Sequence, residues 1–240
     1  MKGEWIDVAA ADGGSFRAYL AKPDKGGGPG ILLCQEIFGV NAQMRAVADD
    51  YAEAGYAALV PDLFWRLVPG VQLGYGEADV EKAFALLGKF DEAAGVRDIT
   101  AAVQALRAHP ACEGKIGALG FCLGGKLAVL AASRSGVDCA VSYYGVGIET
   151  LLDEVSKIAV PMVLHFAGRD KYVPPAAVEA IRKALSGRPG MEVHVYPECE
   201  HGFNTPGRPS YDQRAAQTAR SRALALFREQ LGPAWAAANS

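Results

Sequence analysis

Short, continuous apolar runs alternate along this chain with longer stretches in which apolar positions recur at helical spacing. The runs are Gly30–Cys34, Tyr56–Val60, Ile116–Leu119, Asp138–Gly145, Pro161–Phe166 and Glu192–Tyr196. Each is closed by glycine, proline or a polar turn, the pattern of parallel strands covered on both faces. Between them, Asn41 offers an N-cap for a helix through Ala54, which Gly55 closes. Helical periodicity also predicts helices over Glu77 to Gly88, Glu92 to Ala108, Lys126 to Ala132, Pro175 to Ser186 and Asp212 to Leu231. Phe84, Leu87, Val96, Ile99, Val103 and Leu106 carry that periodicity in the second and third of these. Ahead of everything, Trp5–Val8 and Phe16–Leu20 flank Asp12-Gly13-Gly14 as a β-hairpin. The expectation is an α/β fold with a doubly wound, mostly parallel sheet, helices on both faces and an N-terminal β-hairpin. With no repeat, low-complexity segment or linker in view, residues 1–240 are expected to form one domain.

Two stretches break the alternation. Pro23–Gly30 is glycine-rich but precedes a strand rather than a helix, so it reads as a surface loop and not as a phosphate cradle. Leu63–Gly76 is more apolar and aromatic than a solvent-facing loop, with Phe64, Trp65, Val68, Val71, Leu73 and Tyr75. It either packs over the core or walls a binding pocket.

Composition narrows the partner. A formal net charge of −3 argues against nucleic acid or an anionic membrane and leaves a small molecule. The five cysteines are odd in number and scattered, with no C-x-x-C pair and no metal-like cluster with the four histidines. That favours a reducing cytoplasm with at least one free thiol, and no metal or cofactor is called for. Met1–Asp7 lacks a signal-peptide core and no apolar run is long enough to span a bilayer, so a cytoplasmic monomer is expected.

The chemistry centres on Gly120-Phe121-Cys122-Leu123-Gly124, between an apolar run and a helix. This is the G-x-nucleophile-x-G elbow with a thiol in place of the usual hydroxyl. Alone it fits equally an ordinary turn holding a buried cysteine. Three further groups follow predicted strands: Glu36, Asp170 and His201. Nucleophile, acid and histidine then occur in the chain order of the α/β-hydrolase triad, at the strand ends where ligands of open sheets collect. Cys122 is the expected nucleophile, His201 its proton carrier and Asp170 the group that fixes the imidazole. The backbone N–H groups of Leu123 and Ile37 are the expected oxyanion donors. Glu36 reads either as a loop carboxylate paired with a nearby cation or as a second carboxylate that keeps the thiol protonated until substrate arrives. Phe38, Trp65, Tyr144 and Phe203 are the aromatic candidates for substrate contact. His165 and His194 lie in strands and His109 ends a helix, which leaves them outside this set.

Gln35-Glu36-Ile37-Phe38-Gly39, Pro61-Asp62-Leu63, the elbow with Gly125, Tyr143-Tyr144-Gly145, Gly168-Arg169-Asp170 with Val173-Pro174, and His201-Gly202-Phe203 together resemble the dienelactone hydrolase family. The resemblance implies an α/β-hydrolase fold and a Cys122–Asp170–His201 triad. It also implies activation of the thiol by Glu36 on substrate binding, and hydrolysis of an enol-lactone such as 4-carboxymethylenebut-2-en-4-olide to maleylacetate. The family binds the substrate carboxylate with two arginines that have no in-register counterpart here. Val80 stands at the first position, Phe203-Asn204-Thr205 follow the histidine, and Lys82 and Arg208 are nearby but out of register. A cysteine-dependent hydrolase of less charged esters or lactones, working through an acyl-thioester, is therefore expected. The alternatives are a true dienelactone hydrolase with relocated cations and a non-catalytic small-molecule binder of the same fold.

Overall fold

The computed structural model describes residues 3–24 and 26–232; Met1, Lys2, Lys25 and residues 233–240, all within the expected domain, lie outside the described residues. Every residue of β3 (Gly28–Cys34), β4 (Ala57–Pro61), β6 (Cys139–Tyr143) and β7 (Met162–Ala167) is buried, which is why their sequences run apolar without alternation. With β1 (Glu4–Ala9), β2 (Ser15–Ala21), β5 (Cys112–Phe121) and β8 (Met191–Tyr196) they form an eight-stranded sheet ordered β1-β2-β4-β3-β5-β6-β7-β8. β1 and β2 pair as the predicted hairpin, β2 runs antiparallel to β4, and all other neighbours are parallel. The chain winds outward in one direction from β3 and in the other from β5. The crevice between the carboxyl ends of those two strands is thus the switch point of the sheet.

Two apolar layers sandwich the sheet. On one face α1 (Ala42–Glu53) and α7 (Gln213–Leu231) deliver Met44, Tyr51 and Phe227. On the other, α3 (Glu92–Ala108), α4 (Leu123–Arg134) and α6 (Pro175–Leu185) deliver Ile99, Leu127 and Ile181, with α2 (Glu77–Leu87) beside them. Asn41 caps α1 by accepting from the Met44 N–H at 3.1 Å, as the sequence predicts, and Asp212 does the same for α7 from Ala215 at 2.8 Å. Two features were not predicted. β5 starts at Cys112 rather than Ile116 because its first turns out of the core are exposed and carry no apolar run. A short helical stretch, a 3₁₀ turn at Ile148–Leu151 and α5 (Leu152–Val155), follows β6. Among the described residues no helix is long and apolar enough to cross a membrane.

The aromatic loop between β4 and α2 packs over the core. Asp62 accepts from the N–H groups of Phe64 and Gly70 at 3.1 and 2.7 Å, and Gln35 Oε1 accepts from Leu63 at 3.1 Å. Trp65 stacks on Phe16 and donates its indole N–H to Asp98 at 2.8 Å. The same fully buried carboxylate takes a bidentate bond from Arg66, at 2.9 and 2.7 Å. Replacing Asp98 with alanine would leave that guanidinium and indole without their acceptor. The expected result is a loss of about 3 kcal/mol of stability, read as a lower urea midpoint at unchanged m-value.

Candidate active site

Cys122 sits between β5 and α4 with φ +56° and ψ −118°, a conformation that non-glycine residues rarely adopt. Strain of this kind persists only where the surroundings enforce it. Here its own amide donates to Tyr143 at 3.0 Å, and its carbonyl accepts from Gly125 and Val146 at 3.0 and 3.3 Å. The flanking glycines are obligatory. A Cβ on Gly120 would strike the Gly124 carbonyl, and one on Gly124 would strike the carbonyls of Cys34 and Gln35 at the end of β3. The elbow therefore presses α4 against the neighbouring strand and lifts Cys122 into the crevice.

Asp170 and His201 follow β7 and β8. One oxygen of Asp170 is held by the N–H groups of Tyr172 and Val173 at 2.8 and 3.2 Å, and the other accepts from His201 Nδ1 at 2.8 Å. Both side chains are buried. Fixing Nδ1 in this way turns Nε2 towards the pocket, where it has no hydrogen-bond partner among the described residues. Tyr144 and Tyr172 pack edge-on against the imidazole from two sides, each with centroids 4.8 Å away. Phe203 packs in turn on Tyr144 at 5.4 Å.

Glu36 leaves the end of β3 and points into the same cavity, which it shares with Ile37, Phe38, Cys122, Leu123 and His201. Its partner is Arg208, whose Nη1 lies 3.4 Å from Oε1. The guanidinium reaches this point between the rings of Tyr75 and Phe38, 5.3 and 5.9 Å from their centroids. It also lies against Gly202, where a Cβ would come within 2.7 Å of Nη1. Burial raises the Glu36 carboxyl above its ordinary range, while Arg208 and His201 pull it down. The Cys122 thiol is pushed up to about 12, first by burial and then by the Glu36 charge; the Leu123 amide and Arg208 oppose this. The resting sulfur is consequently a neutral thiol at neutral pH.

Of the residues singled out from the sequence, the structure gathers Cys122, His201, Glu36, Ile37, Leu123 and Phe38 around one cavity, with Asp170 directly behind His201. Ile37 makes no backbone hydrogen bond through its N–H among the described residues, and the Leu123 amide approaches the sulfur. Three aromatic candidates are corrected. Trp65 belongs to the Phe16–Asp98 anchor away from the cavity, and Tyr144 and Phe203 are fully buried behind His201, where they support the ring. The apolar wall comes from Val80, Phe84 and Leu87 on α2 and from Phe90, in place of the loop before that helix. Phe84 and Leu87 were visible as part of a helical stripe, but a stripe does not reveal whether it faces core or cavity. Arg208 lines the cavity despite its irregular offset from His201, while Lys82 pairs with Asp79 on the outside of α2. No sequence signal marks that route for Arg208, since it depends on the space above Gly202. Among the described residues no group of His, Cys, Asp and Glu is arranged to hold a metal ion.

A sheet of this order, bringing a thiol, a carboxylate–imidazole pair and a second carboxylate to its switch point, is that of an α/β-hydrolase. Residues 16–231 match the dienelactone hydrolase family, and the chain belongs to that family. It is 40% identical over 225 residues to a carboxymethylenebutenolidase of Pseudomonas putida, covering 93% of this chain and 95% of that one. A carboxymethylenebutenolidase 1 of Cupriavidus pinatubonensis is 35% identical over 228 residues, with 95% and 97% covered. The fold is also that of a dienelactone hydrolase-like promiscuous phosphotriesterase from metagenomic libraries, at a TM-score of 0.79 and 23% identity over 97% of this chain.

Proposed function

We propose that this chain, folding over residues 1–240 as one catalytic domain, hydrolyses a carboxylic ester or lactone with Cys122 as nucleophile. The thiolate attacks the carbonyl carbon, and the oxyanion is received by the N–H groups of Leu123 and Ile37. As the C–O bond breaks, the leaving oxygen takes the proton that the thiol gave up, relayed from Glu36 through His201 Nε2, and an acyl-thioester on Cys122 remains. Water, deprotonated by His201, then attacks the thioester and releases the acid and the thiol. Asp170 holds the imidazole in the tautomer this cycle requires and supports its positive charge.

Glu36 supplies the missing step at the start, because a thiol near 12 is scarcely ionised at neutral pH. At rest its charge is shared with Arg208. A substrate carboxylate that takes over Arg208 frees Glu36 to remove the thiol proton, so ionisation is coupled to occupancy. The single observation that carries the reading is that Cys122, His201, Glu36 and Arg208 all open into one cavity, with Asp170 bonded to the far nitrogen of His201. Arg208 also favours an anionic substrate over the less charged ester expected from the sequence. An enol-lactone that bears a carboxylate is the class of substrate it suits.

Acid-quenching the enzyme during turnover of mono-p-nitrophenyl glutarate, whose free carboxylate can take over Arg208, and weighing the intact chain tests the proposal. One glutaryl group on a peptide containing Cys122, released by neutral hydroxylamine, is the expected result. An adduct on any other residue would refute the thioester. So would hydrolysis with no adduct under conditions where deacylation is the slow step.

A further inference from the structure

We infer that the substrate carries an apolar arm, an alkyl chain or aryl ring, that lies along α2 between Phe84 and Tyr172. This rests on the reading of the cavity as an acyl-transfer site and specifies what enters it.

The cavity has a volume of about 310 Å³, at the lower edge of the roughly 300–1,000 Å³ typical of small-molecule sites. It is more than the reaction centre alone requires. Its two cations are each matched by a carboxylate, Arg208 by Glu36 at 3.4 Å and Lys126 by Glu92 at 2.6 Å. A substrate carboxylate has one cation next to the reacting carbonyl, Arg208, and the remaining wall is hydrocarbon. Val80, Phe84 and Leu87 recur on one face of α2, and Phe90 continues that face after the helix.

The mouth of the cavity shows the same bias. Phe84 and Tyr172 are 43% and 37% exposed, two of the few large apolar side chains left open on the described surface. They come from separate elements yet face each other, with ring centroids 6.4 Å apart. Tyr172 follows Asp170 closely in sequence and its ring rests on His201. A chain lying along these rings would therefore be guided to the imidazole. Exposed aromatic surface rimming a cavity is the signature of a ligand that covers it. A second carboxylate at this wall would lose its hydration and find no free cation.

Titration calorimetry of the whole chain with butanoate, hexanoate, octanoate and octanedioate tests the arm without depending on turnover. Each methylene half-buried on the wall is worth about a twofold gain, so octanoate, with four more methylenes, is expected to bind about 16-fold more tightly than butanoate. Octanedioate, whose second carboxylate meets the wall, is expected to fall back to the affinity of butanoate. Phe84→Ser, at an exposed position that the fold tolerates, and Val80→Asn should each cut the octanoate gain to about threefold or less. Equal affinities along the series overturn the arm, as does tighter binding of octanedioate or the absence of any alkanoate binding. Failure of the thioester experiment with the chain-length gain intact would instead leave a site that binds such acids without performing the proposed chemistry.

Discussion

Cys122→Ala is expected to lower kcat/KM for mono-p-nitrophenyl glutarate by at least about 10⁴-fold while leaving the fold in place. The loss is large because no other group can take over. Asp170 is turned away behind His201, and an alanine at 122 removes the only sulfur that lines the cavity among the described residues. The oxyanion donors remain, so a small residual rate above the uncatalysed reaction should persist. His201→Ala is expected to cost nearly as much, and the double variant little more than either single one. Nucleophile and base act as a unit, and removing one idles the other. Stability should change by no more than about 1 kcal/mol, since Cys122 is only half-buried and alanine inherits the same backbone conformation. Steady-state rates on protein whose thiol content has been titrated, with a denaturation curve for each variant, provide the check. A Cys122→Ala enzyme that keeps about a tenth of the wild-type rate would refute the nucleophile assignment.

The sequence disclosed what local chemistry dictates and hid what depends on shape. Parallel strands were legible because residues buried on both faces must be apolar throughout, as in β3 and β7. The cap at Asn41 was legible because a side-chain oxygen at a helix start has one main use. Cys122, Asp170 and His201 could be singled out because each follows a strand, and the structure brings Cys122 and His201 to one cavity with Asp170 bonded to His201. Three of the four aromatic candidates lie away from the cavity for a common reason, while Phe38 lines it. Trp65, Tyr144 and Phe203 are placed by packing partners distant in sequence, and aromatic character does not reveal which side of a histidine a ring occupies. Arg208 is the instructive case. Register excluded it, yet the chain needs only a glycine at 202 and two rings, Phe38 and Tyr75, to lead its guanidinium to Glu36. A turn-rich segment can deliver one charge to one point from several sequence offsets.

Glu36→Gln is expected to move two properties of Cys122 in opposite directions. The Glu36 charge helps to hold the thiol near 12, second only to burial, so replacing it with a neutral amide lowers that value. Below it the thiolate fraction rises as the pKa falls. Alkylation of Cys122 by iodoacetamide at about pH 9 should therefore be faster in the variant than in the wild type. Freed from its carboxylate, Arg208 adds to the effect by favouring the anion. Hydrolysis should nevertheless drop by about 10²–10³-fold, because the group that removes the thiol proton at the moment of substrate binding is gone. A carboxylate that merely filled space or anchored Arg208 would slow both reactions together through misplacement of the elbow. A carboxylate acting only as a repulsive charge would, when removed, speed both. Only a base restrained by Arg208 until substrate arrives gives the split. The remaining activity should regain part of its rate as the pH rises towards the lowered thiol pKa, where hydroxide can do what Glu36 no longer does. The wild-type rate should already be flat across that interval. Rate–pH profiles of the two enzymes, measured beside their alkylation rates, decide among the three roles.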